Sequence, residues 1–321
     1  PPSPSPSPTP SVPPPLPVQA LSFTTGESEW TTVTLDPIFS APVVVCTPQY
    51  DSTADNYVVR IRNLGTSSFE ARATATSDGA SLANEAVKCV VVEEGEYTVE
   101  ADGVLMSARR FQSVPHTGRE FGWNDFELLE LQAYAAPVIL GQVDSFDSAA
   151  FQNFVAVGRV SREDVPASGR NRVARQVGEV DTSPDPDTDT VGYIVVESGS
   201  GFIGNLAYQA GIASDVAGLT QFAADGDDLS TTPITTSVDI SADSTVPSSS
   251  VAILSSAGVV GASGSFPLLY GRRSVSQDLL TIAVDEETAS KLDRAHGALE
   301  SVSFLVLESP PVPSASSTPS P

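Results

Sequence analysis

Histidine, cysteine, tryptophan and methionine are almost missing from this chain: two, two, two and one of them occur in 321 residues. The histidines, His116 and His296, sit in loop-like settings 180 positions apart. Enzymes usually need a group titrating near neutral pH, an activated nucleophile or a metal. No Gly-x-Ser-x-Gly elbow, His-Glu-x-x-His, Cys-x-x-Cys or phosphate loop occurs. Ser200 lies in Gly199-Ser200-Gly201, which reads as a Gly-rich turn. No catalytic residue is assigned, and the expectation is a protein that is not an enzyme. Basic residues are also scarce, 16 Lys and Arg against 40 Asp and Glu, for a net charge of −24. Such a surface repels nucleic acid and anionic membranes, and both drop out as partners. No stretch of 18 apolar residues is present, so no membrane span is expected. No Asn-x-Ser/Thr sequon occurs, and N-glycosylation is not expected. The chain opens on a Pro-Ser run rather than a signal peptide, as a mature secreted chain or a piece of a longer one would.

What is present is a repeated vocabulary. Cys89-Val90-Val91-Val92-Glu93 returns as Tyr193-Ile194-Val195-Val196-Glu197 and as Phe304-Leu305-Val306-Leu307-Glu308. Upstream, Ala41-Pro42-Val43-Val44-Val45 returns as Ala136-Pro137-Val138-Ile139-Leu140 and, more loosely, as Ser250-Val251-Ala252-Ile253-Leu254. Two landmarks in one order, three times over, argue for three copies of one module. Unbroken β-branched runs bounded by turn residues read as strands buried on both faces or lying in a sandwich core. Ser, Thr, Val, Gly and Ala dominate, which is all-β composition.

The predicted architecture is three tandem antiparallel β-sandwich modules at residues 18–100, 101–200 and 201–308. They are flanked by polyproline II segments at 1–17 and 309–321. Module one alternates well. Trp30–Leu35, Tyr57–Asn63 (with one charged face) and Phe69–Thr74 all carry period-2 patterns. Phe154–Val160, with Arg159, matches the Arg-bearing strand of module one, and 170–189 reads as an insert. Ala289–Gly297 is the one stretch suited to a helical turn. The short junctions Glu94–Asp102 and Ser198–Asn205 predict modules packed into a rigid rod.

The only cysteines, Cys46 and Cys89, sit in the two landmark strands of module one. Gly141 and Tyr193, then Leu254 and Phe304, take their places in the other modules. Joint presence and joint absence predict a strand-to-strand disulfide and an oxidising compartment. Two buried free thiols are the alternative.

Residues 1–17 hold ten prolines, and 309–321 hold five more of the total of 26. Such segments adopt extended polyproline II. Joined end to start they would form one Ser-Pro and Thr-Pro run, as in a unit of a tandem array or as two equivalent linkers. The alternating Ser-Pro resembles the glycomodules of hydroxyproline-rich extracellular glycoproteins of green algae and plants. The resemblance implies proline hydroxylation or O-glycosylation at Ser3, Pro4, Ser5, Pro6, Ser7, Pro8, Thr9, Pro10, Thr318 and Pro319, hence covalent glycans. A plain spacer without sugar is the alternative.

Module one also resembles the H-type lectin domain. The resemblance rests on Trp30, Phe39 before Pro42, the Val run, Arg60 and Arg62, the Gly-Thr-Ser-Ser-Phe69 stretch and the closing apolar strand. It covers about 75 residues and implies a small β-sandwich of a family that binds galactose-type sugars at subunit boundaries. No sugar-contacting set is matched, so no binding residue is carried over.

Three other groups are candidates. Glu93, Glu197 and Glu308 end strands in different modules and read as edge or turn residues, because paired carboxylates need a separation of about 5–10 Å. Asp185, Asp187 and Asp189 offer alternating oxygens for a Ca²⁺ ion, although the Gly and Glu of an EF-hand loop are absent and a solvated acidic loop competes. Asp225, Asp227 and Asp228 form a second acidic turn. Trp30, Trp123 and Tyr50 offer rings for sugar stacking, against rim or core packing. The expected function is an extracellular structural glycoprotein. It would be the repeat unit of a filament, wall layer or surface appendage, self-associating head-to-tail or through its Pro-rich segments. A secreted carbohydrate-binding lectin or adhesin is the alternative.

Overall fold

A computed structural model describes residues 16–51, 56–76, 82–113, 127–129, 133–146, 152–157, 171–177, 189–219, 234–240, 250–257, 265–276, 279–286 and 299–308. The Ser-Pro sites, His116, His296, Trp123, Arg159, Asp185, Asp187, the acidic turn at Asp225 and the stretch Ala289–Gly297 lie outside them. The described chain is all-β, with several antiparallel sheets. In order, the strands are β1 (Val18–Thr25), β2 (Thr31–Thr34), β3 (Pro42–Tyr50), β4 (Tyr57–Arg62), β5 (Ser68–Ala75), β6 (Glu85–Glu93) and β7 (Gly95–Tyr97). A single helical turn, α1 (Val99–Asp102), follows. It is capped by the Thr98 side chain, which accepts from the Ala101 amide, and closed by left-handed Gly103. Then come β8 (Met106–Ser113), β9 (Glu127–Leu129), β10 (Pro137–Val143), β11 (Gln152–Val157), β12 (Asn171–Val177), β13 (Asp189–Glu197) and β14 (Gly199–Ile203). The last six are β15 (Leu206–Val216), β16 (Thr236–Asp239), β17 (Val251–Ser256), β18 (Ser265–Tyr270), β19 (Leu279–Glu286) and β20 (Glu300–Leu307).

The landmark strands pair with each other in a recurring register. β6, β13 and β20 are each the middle of an antiparallel trio. Pro42 faces Glu93, Pro137 faces Glu197, and Val251 faces Leu307. On the other side Val18 faces Val92, Met106 faces Val196, and Tyr208 faces Leu307. A second kind of trio recurs as β2-β5-β4, β9-β12-β11 and β16-β19-β18. The stretch 170–189 is therefore not a plain insert: it supplies β12, the centre of one of these trios, and the start of β13.

Period-2 alternation divides each landmark run between two cores. Val43, Val45, Val90 and Val92 point into one cluster with Val138, Leu140, Ile194, Val196, Val251, Ile253, Leu305 and Leu307. Their neighbours Val44, Cys46, Cys89 and Val91 turn to the opposite face and pack on Val33, Phe39, Val59, Ile61 and Phe69 of the β2-β5-β4 side. Ala252, Leu254, Phe304 and Val306 do the same in a separate cluster against Ile282 and Val284 of β19. This is why the runs carry no polar alternation: both faces are dry. Cys46 and Cys89 face each other across β3 and β6 and form a disulfide, with Cα atoms 4.1 Å apart. Gly141 and Tyr193, and Leu254 and Phe304, occupy the same cross-strand pairing elsewhere. The packing also begins earlier than residue 18, because Leu16 lies against the common cluster and the Pro17 carbonyl accepts from the Glu93 amide.

The trios do not follow one another in a line. β18, near the end of the chain, runs parallel to β3, near its start, with Leu269 opposite Gln49 and Tyr270 opposite Tyr50. β11 runs parallel to β17, with Val155 opposite Ser256. A rigid rod would keep the first and third stretches apart. The shared cluster of strands from all three brings them together instead, because each landmark strand has a second dry face that an end-to-end arrangement would leave in water.

Candidate functional site

One position in each upstream landmark strand bridges to the next strand around the shared cluster. The Leu254 amide donates to Thr47 Oγ1 at 2.7 Å. The Gly141 amide donates to Ser255 Oγ at 2.9 Å, and that hydroxyl donates back to the Gly141 carbonyl at 3.3 Å. The Cys46 amide donates to Gln142 Oε1 at 3.4 Å, while Gln142 Nε2 donates to the Val59 carbonyl at 3.0 Å. Thr47, Gln142 and Ser255 are all buried, so each bridge satisfies a backbone group that water does not reach. The three bridges close a ring: β3 to β17, β17 to β10, and β10 to β3. The longer glutamine stands where β10 and β4 remain in separate sheets, whereas β3 and β17 each gain a parallel neighbour. A cavity of about 30 Å³ opens beside this ring between Cys46, Gly141, Gln142, Ser255 and Pro267.

At the β4–β10 seam lies the most chemically distinctive face among the described residues. In β4 and β5, Arg60 faces Arg72 and Arg62 faces Glu70. Trp30 immediately precedes Thr31, which pairs with Ala71, so the ring lies alongside Arg72. Like charges facing each other across strands are normally unfavourable. Here aromatic faces offset the repulsion. The Arg72 guanidinium lies 4.7 Å from the Trp30 ring centre and 4.9 Å from that of Phe146. Arg62 lies 4.2 Å over Trp30, and Arg60 4.7 Å over Phe146. The two rings meet edge to face at 5.2 Å. Phe146 follows β10, so this cluster joins the second landmark region to the first. Arg62 and Glu70 form an ion pair at 2.6 Å, and this contact holds the Glu70 carboxyl below its ordinary range.

Asp144, two residues before Phe146, is fully buried. Burial pushes its carboxyl up to about 8, and the Arg110 guanidinium at 3.1 Å pulls it back only in part. Burial prevails because Arg110 is itself partly exposed and its charge is screened by water. Asp144 Oδ1 has no hydrogen-bond partner. Gly192 is required beside it, because a Cβ there would overlap the carboxylate.

The residues singled out in the sequence fall as follows. Glu93 is a backbone clamp: its two oxygens accept from the Ser40 and Ala41 amides at 2.8 and 2.6 Å. Glu197 repeats the clamp on Ala135 and Ala136 at 3.0 and 2.7 Å. Each carboxylate fixes the approach to the landmark strand beside it. Glu308 donates its amide to the Ala207 carbonyl, as Glu93 does to Pro17 and Glu197 to Leu105. Asp189 is buried and holds the buried Arg175 at 2.6 Å while accepting from Ser145 Oγ, so its oxygens are already engaged by protein groups. Among the described residues no three His, Cys, Asp or Glu side chains gather as a metal site. Tyr50 is not an exposed ring: it is buried against Tyr57 at 4.9 Å, and its hydroxyl bonds the Tyr57 backbone. Trp30 is half-buried in the arginine cluster. Thr47, Gln142, Ser255 and Asp144 carried no motif. A second acid stands at the start of each closing strand (Glu85, Asp189, Glu300), eight residues before Glu93, Glu197 and Glu308, and this spacing is readable in the sequence. The comparisons supply no relative, for no protein-family model, no curated protein and no solved structure matches the chain.

Proposed function

We propose that the chain is an extracellular structural glycoprotein whose folded part is three copies of one H-type-lectin-like β-sandwich, closed on one another in an approximate three-fold ring. The observation that carries the reading is the cyclic set of bridges at Thr47, Gln142 and Ser255, together with the cluster shared by all three copies. Closure makes the three copies one stiff body, as a wall or appendage subunit requires. The Cys46–Cys89 disulfide supports an oxidising compartment. Pro17 and Glu308 take part in matching hydrogen bonds at the same level of two copies. Pro17 and Glu308 then lie at one pole of the closed body. Self-association runs through the Ser-Pro-rich segments and their glycans.

Intact mass of the native protein, with electron microscopy of the same sample, tests this. The expected result is mass above the 33.4 kDa polypeptide in pentose or hexose steps, mapping to the Ser-Pro segments, with regular assemblies. A bare monomer of polypeptide mass would overturn it. A second reading, a carbohydrate-binding lectin or adhesin, is favoured by the half-buried Trp30 and its arginines at a boundary between copies. A glycan array tests that reading.

A further inference from the structure

We propose that the partly exposed Arg72 edge of the β4–β10 seam binds the carboxylate or sulfate group of an acidic saccharide, with Arg72 as the fork that receives it. The proposal deepens the carbohydrate-binding reading by naming a ligand class, and it does not depend on the structural one. Arg62 has Glu70 as a counter-ion. Among the described residues Arg72 has no acid partner: its contacts there are the faces of Trp30 and Phe146. Its Nε is buried without an acceptor. The residue as a whole is only partly buried.

A guanidinium held against two rings loses little further freedom on binding, and its planar fork matches a two-oxygen anion. The setting adds selectivity. A protein of net charge −24 repels loose anions, so an anion gathers only where positive charge is concentrated. Arg60 faces Arg72 across the strands but is itself buried, and Glu70 meets the charge of Arg62, so the pull on an added anion comes from Arg72. The half-buried Trp30 beside it offers an edge for the sugar ring that carries the acid group.

Binding is read from Trp30 fluorescence in a Trp123→Phe background, which leaves Trp30 as the sole tryptophan. The probes are a galacturonate trisaccharide, a sulfated galactose oligomer, neutral galactose oligomers and inorganic sulfate, each titrated into the full chain. The expected result is saturable binding of an acidic oligomer, weaker or absent binding of the neutral ones, and a loss of about tenfold or more in Arg72→Gln. Arg72→Lys keeps the charge without the fork and should recover only part of the affinity. It also serves as the test should Arg72→Gln fail to fold. Failure of both acidic oligomers to bind would overturn the proposal. So would equal affinity in Arg72→Lys, or binding of inorganic sulfate with no gain from the sugar. Neutral galactose bound equally by the parent and Arg72→Gln would keep the lectin reading and overturn this one.

Discussion

Replacing Asp144 by asparagine should make the protein more stable at pH 8 while changing little at pH 4. The carboxyl ordinarily titrates near 3.8, and in the folded chain burial raises it to about 8. A raised carboxyl favours the folded state most when protonated. Its contribution is therefore full below about pH 4 and is lost as the pH climbs through 8. The distance between the two values sets a ceiling on the order of 5 kcal/mol. Arg110, at 3.1 Å, is already included in the raised value and lowers that ceiling no further. Asparagine keeps the size and an acceptor for Arg110 but cannot ionise, so the variant loses this pH dependence. Many other carboxylates also titrate, and the informative quantity is the difference between parent and variant. Urea midpoints measured from pH 4 to pH 8.5 should diverge by at least about 2 kcal/mol in favour of the variant at the alkaline end. A difference that stays constant with pH would refute the reasoning. It would mean that the Arg110 pair, not burial, governs this carboxyl.

Other perturbations follow from the same contacts. Gln142→Ala removes the bridge at the one seam without strand pairing and leaves the Cys46 amide and Val59 carbonyl without that partner, at about 1–3 kcal/mol, read by chemical denaturation. The matching loss in Thr47→Val should be accompanied by faster hydrogen exchange at the Leu254 amide. Reduction, or a Cys46→Ala/Cys89→Ala double variant, should cost about 4 kcal/mol by chain entropy for a separation of 43 residues, seen as a lower melting temperature. Leu140→Ala, in the shared cluster, should cost about 2–5 kcal/mol and disturb stretches far from it in sequence.

The sequence was most legible where one face of a strand is less buried than the other. β2 and β5 follow the alternation of Trp30–Leu35 and Phe69–Thr74. Tyr57–Asn63 became β4, buried on both faces as far as Ile61, and the landmark runs became β3, β6, β10, β13, β17 and β20. The Cys46–Cys89 juxtaposition was legible too, because the matching pairs elsewhere kept their places in register. How the stretches associate was not. A run such as Val43-Val44-Val45 signals two dry faces, but not that one of them meets strands 200 residues away. That information is held by single side chains, Thr47, Gln142 and Ser255, whose types are ordinary for any strand. β12 was missed because Arg172, Arg175 and Gln176 give Asn171–Val177 a polar look, whereas Arg175 is in fact buried on Asp189. The charged face of β4 was visible. That Phe146 from a distant strand would cover it was not.

Small-angle X-ray scattering on residues 16–308 tests the closed arrangement most directly. A compact body of that length has a radius of gyration of about 19 Å, whereas three bodies of roughly 100 residues placed in a line would give about 30 Å. A value near 19–21 Å, with a single-peaked distance distribution, is what closure around a shared cluster predicts. A value near 30 Å with a long tail would mean an extended rod, and the ring of bridges would be wrong.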